Sequence, residues 1–312
     1  MARCFVTRKL PGGALGRLAA EHEVDVWPTA FPPTRDELLA HAREAVGVLA
    51  QLTETIDTGF FDACPDVRAV ANYAVGVDNV DLAAATERGI PIGHTPGVLT
   101  DATADLAFAL LLAAARRLHD AERASRAGDW SWEPDFLLGH DVHGAVLGLI
   151  GMGRIGSAVA QRASGFSMEV IHNSRSGGLP LDELLERSDF VSIHAPLTPE
   201  TRGLIDEAAL RRMKTSAILI NTARGPIVDT GALVKALNQG WIAGAALDVT
   251  DPEPLPLEHP LLLCPNLTLS PHIGSATNAT RAAMADMAVD NLLAALAGER
   301  MPHCANPEVY ER

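Results

Sequence analysis

The chain has 312 residues, enough for about two domains that each bury an apolar core. Its 39 Asp and Glu residues outnumber its 25 Lys and Arg residues and give a formal net charge of −14. Nucleic acid and anionic membranes are bound through clustered Lys and Arg, so neither is an expected partner. An anionic substrate needs a local positive site, because the overall charge does not attract it.

The first hundred residues alternate short β-rich runs with helical ones. Strands are predicted at 4–7, 24–27, 46–50 and 67–72, and helices at 11–21 and from Thr34 onward. This alternation predicts a parallel sheet with helices on both faces. A Pro- and Gly-rich crossing at 91–97 precedes a long apolar helix at 101–117, which is predicted to lead into a second domain.

A second α/β run begins at Ala145. Strands are predicted at 146–150, 168–172, 190–194, 218–221, 244–248 and 267–270, with a helix directly after the first of them. The last helix, 280–296, is predicted to return to the first domain. The predicted division is therefore a substrate domain of residues 1–98 and 280–312, and a dinucleotide-binding domain of residues 99–279.

The four cysteines are far apart, without a CxxC pair or a Cys/His cluster at metal spacing: Cys4, Cys64, Cys264 and Cys304. We expect free thiols in a reducing cytoplasm and no metal site. The first ten residues are charged and lack the apolar stretch of a signal peptide. The longest apolar run, 106–115, is too short to cross a bilayer, so a buried helix and a cytoplasmic location are predicted.

A GxGxxG sequence follows the first strand of the second run: Gly151-Met152-Gly153-Arg154-Ile155-Gly156. Glycine-rich turns are common, but an apolar strand ends at this first glycine and an Ala-rich helix starts at the third. Gly151 permits the tight turn, Gly153 lets the backbone approach a pyrophosphate, and Gly156 lets the helix pack close to the strand. The helix N-terminus favours phosphate, so a dinucleotide site is predicted.

The end of the next strand selects the nucleotide. NAD enzymes place Asp or Glu there to accept hydrogen bonds from the ribose hydroxyls. Glu169 falls inside the predicted strand, whose end carries Ser174, Arg175 and Ser176. Arg175 can pair with a 2′-phosphate and the serines can donate to it, although a surface arginine in a polar turn would look the same. The pattern favours NADP over NAD.

Three later strands end in polar segments, at the sheet edge where open α/β sheets bind ligands. They carry Arg224, Glu253 and His272. Separately these could be a salt-bridged surface arginine, a solvated carboxylate and a core histidine. Together they match the reduction of a keto acid: Arg binds a carboxylate and a carbonyl oxygen, His supplies a proton, and Glu orients the His.

These segments resemble the D-2-hydroxyacid dehydrogenase family, and within it the glyoxylate/hydroxypyruvate reductase branch. The resemblance covers nearly the whole chain, including 75–81, 97–105, 151–156, 188–198, 221–225, 247–261 and 271–277. It implies an α/β fold of two doubly wound parallel-sheet domains, a Rossmann cofactor domain and a flavodoxin-like substrate domain, with the active site in the cleft between them. It further implies reduction of glyoxylate or hydroxypyruvate to the D-2-hydroxy acid, for which the residues at 174–176 favour NADPH as the reductant.

The resemblance also assigns roles to residues. His272 is the proton donor, Glu253 its partner, and Arg224 orients the substrate. The backbone N–H groups of Val75 and Gly76 bind the substrate carboxylate, and Ser275 positions the substrate beside His272. Asp248 is expected near the nicotinamide. The remaining cofactor contacts are expected from residues that border these motifs: Thr103, Ala195, Pro196, Thr222, Ala223 and Gly274.

A homodimer is expected, with Trp132 at its interface and Trp130 in support. Both lie in a polar, Gly- and Pro-bounded stretch that cannot bury them by its own packing. The alternative is that they fill the cleft between the domains of one subunit. The resemblance favours the interface, since in this family an arm before the GxGxxG embraces the partner and can line its substrate pocket.

One departure concerns the adenosine end of the cofactor site. Family members carry about a dozen more residues before the segment that begins at Leu181, so a helix and a strand are expected to be missing here. Glu253 argues against a formate dehydrogenase, which pairs its histidine with Gln. The open alternatives are an NAD-dependent dehydrogenase of the phosphoglycerate or D-lactate type, and a dinucleotide-sensing binding protein of the same fold.

Overall fold

The computed structural model describes residues 1–311. The chain divides into two compact units, Met1–Leu99 with the residues from Ser275 onward, and Thr100–Gly274. The boundaries predicted from the sequence lie at 98/99 and 279/280. Each unit is an α/β structure built around a parallel sheet, as expected for the fold class.

Twelve strands occur in the described residues: β1 Arg3–Val6, β2 Glu23–Val26, β3 Gly47–Ala50, β4 Ala69–Asn72, β5 Ile92–Gly93, β6 Val146–Ile150, β7 Glu169–Ser174, β8 Gly177–Gly178, β9 Phe190–Ile193, β10 Ile218–Asn221, β11 Gly244–Leu247 and β12 Leu267–Leu269. The α-helices are α1 Ala14–Glu21, α2 Arg35–Ala42, α3 Thr58–Ala63, α4 Leu82–Glu87, α5 Thr100–Ala115, α6 Leu118–Arg126, α7 Arg154–Ser164, α8 Leu181–Arg187, α9 Glu207–Arg212, α10 Thr230–Gln239 and α11 Asn278–Leu296. Short 3₁₀ helices lie at Gly225–Ile227, Pro260–Leu263 and Pro307–Glu311.

The first unit has a five-stranded parallel sheet in the order β2-β1-β3-β4-β5, the order of flavodoxin-like domains. Its central strands β3 and β4 are buried at every position, which explains why they are short apolar runs rather than alternating ones. The C-terminal helix α11 packs on β3, β4 and α1. The predicted return of the last helix to this unit is therefore confirmed.

The second unit has a seven-stranded sheet in the order β12-β11-β10-β9-β6-β7-β8. All neighbours are parallel except β7 and β8. The chain reverses its direction of strand addition between β6 and β9, which is the switch point where Rossmann folds bind dinucleotides. Every residue of β9, β10 and β11 is buried. The carboxyl ends of these strands therefore project functional side chains from a rigid core.

Helix boundaries differ from the predictions where local capping decides them. Helix α1 starts at Ala14 rather than Pro11, and α5 ends at Ala115 rather than Arg117, which has a left-handed φ of +51°. Four helices begin after an aspartate whose carboxylate accepts a first-turn N–H: Asp57, Asp81, Asp206 and Asp229. Strand β7 extends to Ser174, beyond its predicted end.

All four cysteines are free thiols in the described chain. Burial raises the pKa of the Cys4 thiol to about 11, so it stays protonated and unreactive. Within residues 1–311, no three or more His, Cys, Asp or Glu side chains cluster as a metal site. No helix of the described residues combines the length and hydropathy needed to cross a membrane.

Candidate active site

The glycine loop connects β6 to α7. Gly151 has a left-handed φ of +98°, and a Cβ there would lie 2.7 Å from the backbone nitrogen of Ala195. A Cβ on Gly156 would lie 2.1 Å from the carbonyl oxygen of Gly151, so only glycine lets α7 start this close to β6. A Cβ on Gly153 would meet no described atom within 4 Å. The space beside Gly153 is therefore open to a ligand, at the N-terminus of an eleven-residue helix.

A tight hairpin follows β7. Ser174 pairs with Gly177 and Asn173 with Gly178, so Arg175 and Ser176 form the turn. The Ser174 hydroxyl lies 3.0 Å from both the Ser176 hydroxyl and the Gly177 carbonyl oxygen. The prediction that a strand is missing here is wrong, since β8 is present. In the described chain this two-residue strand leads to α8 without an intervening helix.

Charged side chains of both signs lie near this hairpin. Arg175 is exposed at the turn. The pKa of Glu200 is lowered, chiefly by a side-chain hydrogen bond from Thr198 and in smaller part by the charge of Arg175. Glu169 starts β7, away from the hairpin, and forms an ion pair with Arg187 at 2.9 Å. The position where NAD enzymes place an acid is thus held by Ser174 at the strand end.

His272 and Glu253 form the closest pair of candidate catalytic side chains. The Nδ1 atom of His272 lies 2.5 Å from Oε1 of Glu253. Their side chains are 26% and 33% exposed, so both groups are accessible to a ligand. An ionised carboxylate only accepts hydrogen bonds, so it fixes the proton on Nδ1 and leaves Nε2 for other chemistry.

Asp248 anchors the loop that carries His272. Its side chain is buried, and it accepts hydrogen bonds from the Ser270 hydroxyl at 2.6 Å and from the N–H groups of Ile273 and Gly274 at 2.8 Å. The N–H of His272 donates to the Asp248 carbonyl oxygen at 2.8 Å. These bonds hold His272 at a left-handed φ of +54°. This positioning role of Asp248 was not predicted from the sequence, where its only signal is an aspartate directly after an apolar strand.

Arg224 lies in the turn after β10. The Asn221 side chain donates to the Arg224 carbonyl oxygen at 2.9 Å and accepts from the N–H of Ala223 at 3.0 Å. An Arg224 Nη1 group donates to the Ala223 carbonyl oxygen at 2.8 Å. A Cβ on the next residue, Gly225, would lie 1.9 Å from the carbonyl oxygen of Thr250. The segment with Arg224 and the loop with Glu253 are thus in direct backbone contact.

Two further residues of this unit fit a dinucleotide. The Thr222 hydroxyl is buried and has no hydrogen-bond partner among residues 1–311. Buried hydroxyls are nearly always satisfied, so this one is available to a ligand atom or a water molecule. Thr103 is buried and lies within 3.4 Å of the Cβ position of Gly274. Together with the open space beside Gly153, these features are compatible with a bound dinucleotide.

His194 is the other histidine beside the glycine loop. It follows β9, immediately before Ala195 and Pro196, and its Nε2 lies 2.9 Å from the Ser192 hydroxyl. Burial lowers the pKa of His194 to about 4. Its ring is therefore neutral at physiological pH, which makes it unsuitable as a proton donor.

The predicted substrate contacts Val75 and Gly76 belong to the first unit. They follow β4, where the Asn72 side chain donates to the Gly76 carbonyl oxygen at 3.0 Å and His94 Nδ1 lies 3.0 Å from the Val75 carbonyl oxygen. Ser275 opens the C-terminal part of the same unit. Trp132 lies in the second unit and is 90% exposed. The substrate-binding roles of these residues stay predictions.

Comparison with known proteins connects this geometry to a family. Residues 108–274 match the model of the D-isomer specific 2-hydroxyacid dehydrogenase, NAD binding domain. The glyoxylate reductase of Korarchaeum cryptofilum is 48% identical over an alignment that covers 99% of this chain and 97% of that protein. The glyoxylate reductase of Thermococcus kodakarensis is 47% identical, with 99% and 97% covered.

Solved structures agree with these matches. The TT0316 protein from Thermus thermophilus has a TM-score of 0.92 at 51% identity, covering 97% of this chain and 99% of that one. An NADPH-dependent glyoxylate/hydroxypyruvate reductase from Sinorhizobium meliloti, solved with NADP and malonate, has a TM-score of 0.86 at 36% identity, covering 98% and 97%.

A Rossmann unit with a glycine loop and a paired histidine defines an NAD(P)-dependent oxidoreductase. The chain belongs to the D-isomer specific 2-hydroxyacid dehydrogenase family, and its relatives place it in the glyoxylate reductase branch. The resemblance noted from the sequence is confirmed.

Proposed function

We propose that the protein reduces a small 2-keto acid, glyoxylate or hydroxypyruvate, to the D-2-hydroxy acid with NADPH. The contact between His272 Nδ1 and Glu253 Oε1, at 2.5 Å, carries the proposal, because it supplies an oriented proton donor in the unit that contains the glycine loop. The names of the relatives, glyoxylate reductase and glyoxylate/hydroxypyruvate reductase, support this substrate class.

The proton is delivered by His272. Glu253 accepts from Nδ1–H, and in the protonated ring Nε2–H carries the proton that passes to the keto oxygen as the alcohol forms. The carboxylate also stabilises the charged ring before transfer. The bound nicotinamide supplies the hydride to the keto carbon. Hydride and proton together convert the ketone to the hydroxyl group.

The substrate is oriented by charge and by backbone donors. Arg224 carries a permanent positive charge and a planar set of donors that suits a carboxylate and a keto oxygen. We also assign substrate contacts to the N–H groups of Val75 and Gly76 and to Ser275. This local positive site offsets the unfavourable net charge of −14.

A substrate panel tests the proposal directly. Glyoxylate, hydroxypyruvate, pyruvate and phosphohydroxypyruvate are each assayed with NADPH and with NADH at the nicotinamide absorbance. We expect the highest kcat/KM for glyoxylate or hydroxypyruvate with NADPH. A clear preference for phosphohydroxypyruvate or pyruvate with NADH would establish the phosphoglycerate or D-lactate alternative instead.

Nucleotide preference is assigned to the hairpin after β7. Arg175→Ala should raise the KM for NADPH about tenfold or more and leave the KM for NADH nearly unchanged. The reason is the loss of a charge-assisted hydrogen bond to the 2′-phosphate, which contributes about 1.5–3 kcal/mol. Steady-state kinetics with both nucleotides measure the difference.

Arg212→Ala is the matched control for this variant. Arg212 belongs to the same unit and forms an ion pair with Glu186 at 3.1 Å, so its removal changes the charge equally. Both KM values should stay near wild type. Equal changes for the two nucleotides in Arg175→Ala, or a wild-type preference for NADH, would refute the assignment to Ser174, Arg175 and Ser176.

We further propose a cytoplasmic homodimer with Trp132 at its interface. Large apolar side chains are exposed on the second unit: Trp130, Trp132, Leu118, Leu138 and Leu263. Among the described strands β12 has a neighbour on one side only, and a groove of about 720 Å³ lies along it. An unpaired strand edge and exposed large apolar side chains favour association. The four free thiols suit a reducing compartment.

Trp132→Ala should weaken the dimer and relax selectivity toward bulkier keto acids. The expected gain in relative kcat/KM for 2-ketobutyrate over glyoxylate is about tenfold, the scale of one or two methylene groups in a pocket. Analytical ultracentrifugation and the substrate panel measure the two effects. A fully active wild-type monomer at assay concentration would rule out the interface.

A further inference from the structure

We propose that the hydroxyl groups of Thr250 and Thr230 are positioning groups that hold Glu253 against His272. The proposal rests on the proposed function, in which His272 is the proton donor. It adds two residues to which the sequence motifs assign no role. Neither hydroxyl is placed in contact with substrate or cofactor.

The two hydroxyls hold consecutive carbonyl groups of the Glu253 loop. Thr230 Oγ1 donates to the Asp251 carbonyl oxygen at 2.8 Å, and Thr250 Oγ1 donates to the Pro252 carbonyl oxygen at 2.9 Å. These carbonyls belong to the two peptide groups that precede the Glu253 Cα atom. The backbone N–H of Thr250 also lies 3.3 Å from Oε2 of Glu253. The loop is thus held at its backbone and at the carboxylate.

The loop depends on these bonds because of its prolines. Pro252 and Pro254 flank Glu253, and proline has no N–H to donate. Regular backbone pairing is therefore unavailable at both neighbours of the glutamate. The hydroxyls of Thr230 and Thr250 instead fix the loop by donating hydrogen bonds to its carbonyl oxygens.

The backbone of the Glu253 loop also packs closely against Gly225. A Cβ on Gly225 would lie 1.9 Å from the Thr250 carbonyl oxygen and 2.7 Å from the Asp251 nitrogen. The loop therefore rests on the backbone beside Arg224. Because Glu253 is one-third exposed, its carboxylate would otherwise be free to rotate into solvent and lose the contact with His272.

Thr250→Val tests the proposal, with Thr250→Ser as the conservative variant that keeps the hydroxyl. We expect Val to lower kcat about threefold to tenfold, the effect of one neutral hydrogen bond, with the dissociation constant for NADPH unchanged. Ser should restore kcat. Thr29→Val is the matched control, since the Thr29 hydroxyl also donates to a carbonyl two residues on, that of Phe31 at 3.0 Å.

A second measurement does not depend on turnover. The ¹⁵N shifts of the His272 ring at high pH report which nitrogen carries the proton. Wild type, Thr250→Ser and Thr29→Val should show the Nδ1–H form. Thr250→Val and Thr230→Val should shift toward the Nε2–H form, because the displaced Glu253 carboxylate no longer accepts from Nδ1. Thermal melting of each variant checks that it is folded, and Thr230→Val replaces Thr250→Val if the latter is not.

The outcomes separate the two proposals. The positioning role is overturned if the valine variants keep the wild-type ring form, or if Thr250→Val lowers kcat as much in a Glu253→Ala background, which lacks the acceptor, as it does alone. If wild type reduces no keto acid but the ring form changes as expected, the proposed function fails while the positioning role stands.

Discussion

Replacing His272 by Ala is expected to lower keto-acid reduction by about 10²-fold or more, since a positioned general acid contributes at least that much. Dinucleotide binding should persist, because the glycine loop and the Thr222 hydroxyl are unchanged. Reduction is measured by steady-state kinetics with NADPH and glyoxylate, and binding by the change in nicotinamide fluorescence. The expected result is a loss in kcat with little change in the dissociation constant for NADPH.

His41→Ala provides the matched control. His41 also contacts a carboxylate, with its Nδ1 2.7 Å from Oδ2 of Asp25, but it lies in the first unit among Phe5 and Trp27. Its replacement should affect stability and leave reduction near wild type. Near-normal turnover in His272→Ala would remove His272 from the mechanism and with it the proposed function.

The fold was predictable because buried parallel strands have a simple signal. Strands β9, β10 and β11 are buried at every residue, so apolar residues dominate all three and polar residues follow them in the sequence. The polar segments that follow include Arg224, and their shared sheet edge follows from the parallel order. The sequence therefore places the candidate site at the correct edge of the second sheet.

The contacts that position the site were not predictable in the same way. Asp248 holds the His272 loop through three hydrogen bonds, and Thr230 reaches a carbonyl twenty-one residues away. Such bonds depend on loop conformation and on side-chain rotamers, which leave no periodic pattern in the sequence. The requirement for glycine at position 225 cannot be predicted from the sequence either. It becomes apparent only when the structure places the Thr250 backbone beside Gly225.

The structure at the adenosine end of the site was also not predictable from the sequence. A short hairpin connects β7 to α8, and its strand β8 has only two residues. A strand of two glycines has neither apolar alternation nor β-branched residues, which is why the sequence pattern missed it.

Family membership also bears on the alternatives left open by the sequence. A dinucleotide-sensing binding protein is disfavoured, because the chain is an NAD(P)-dependent oxidoreductase by family and its relatives are named as reductases. The phosphoglycerate and D-lactate types remain distinct in substrate size and charge. The substrate panel separates them from the proposed reductase, since phosphohydroxypyruvate carries a phosphate that needs further positive charge.

Substitutions in the glycine loop are expected to have the second large effect. Changing either Gly156 or Gly153 to Ala should weaken dinucleotide binding, but for different reasons. In Gly156→Ala the new Cβ would lie 2.1 Å from the Gly151 carbonyl oxygen, so the loop must move. We expect a loss of stability of about 1–3 kcal/mol, typical of overpacking, and loss of measurable dinucleotide binding. In Gly153→Ala the Cβ meets no described atom within 4 Å, so stability should change by less than about 0.5 kcal/mol.

Dinucleotide affinity should nevertheless fall about tenfold or more in Gly153→Ala, because the methyl group occupies the space that the pyrophosphate needs. Denaturant unfolding without ligand and fluorescence titration with NADPH separate the two variants. Gly16→Ala is the control, since its Cβ is also unobstructed by described atoms and α1 lies in the other unit. Wild-type affinity in Gly153→Ala would mean that no phosphate approaches this residue. Wild-type affinity and stability in Gly156→Ala would contradict the close contact between α7 and the end of β6.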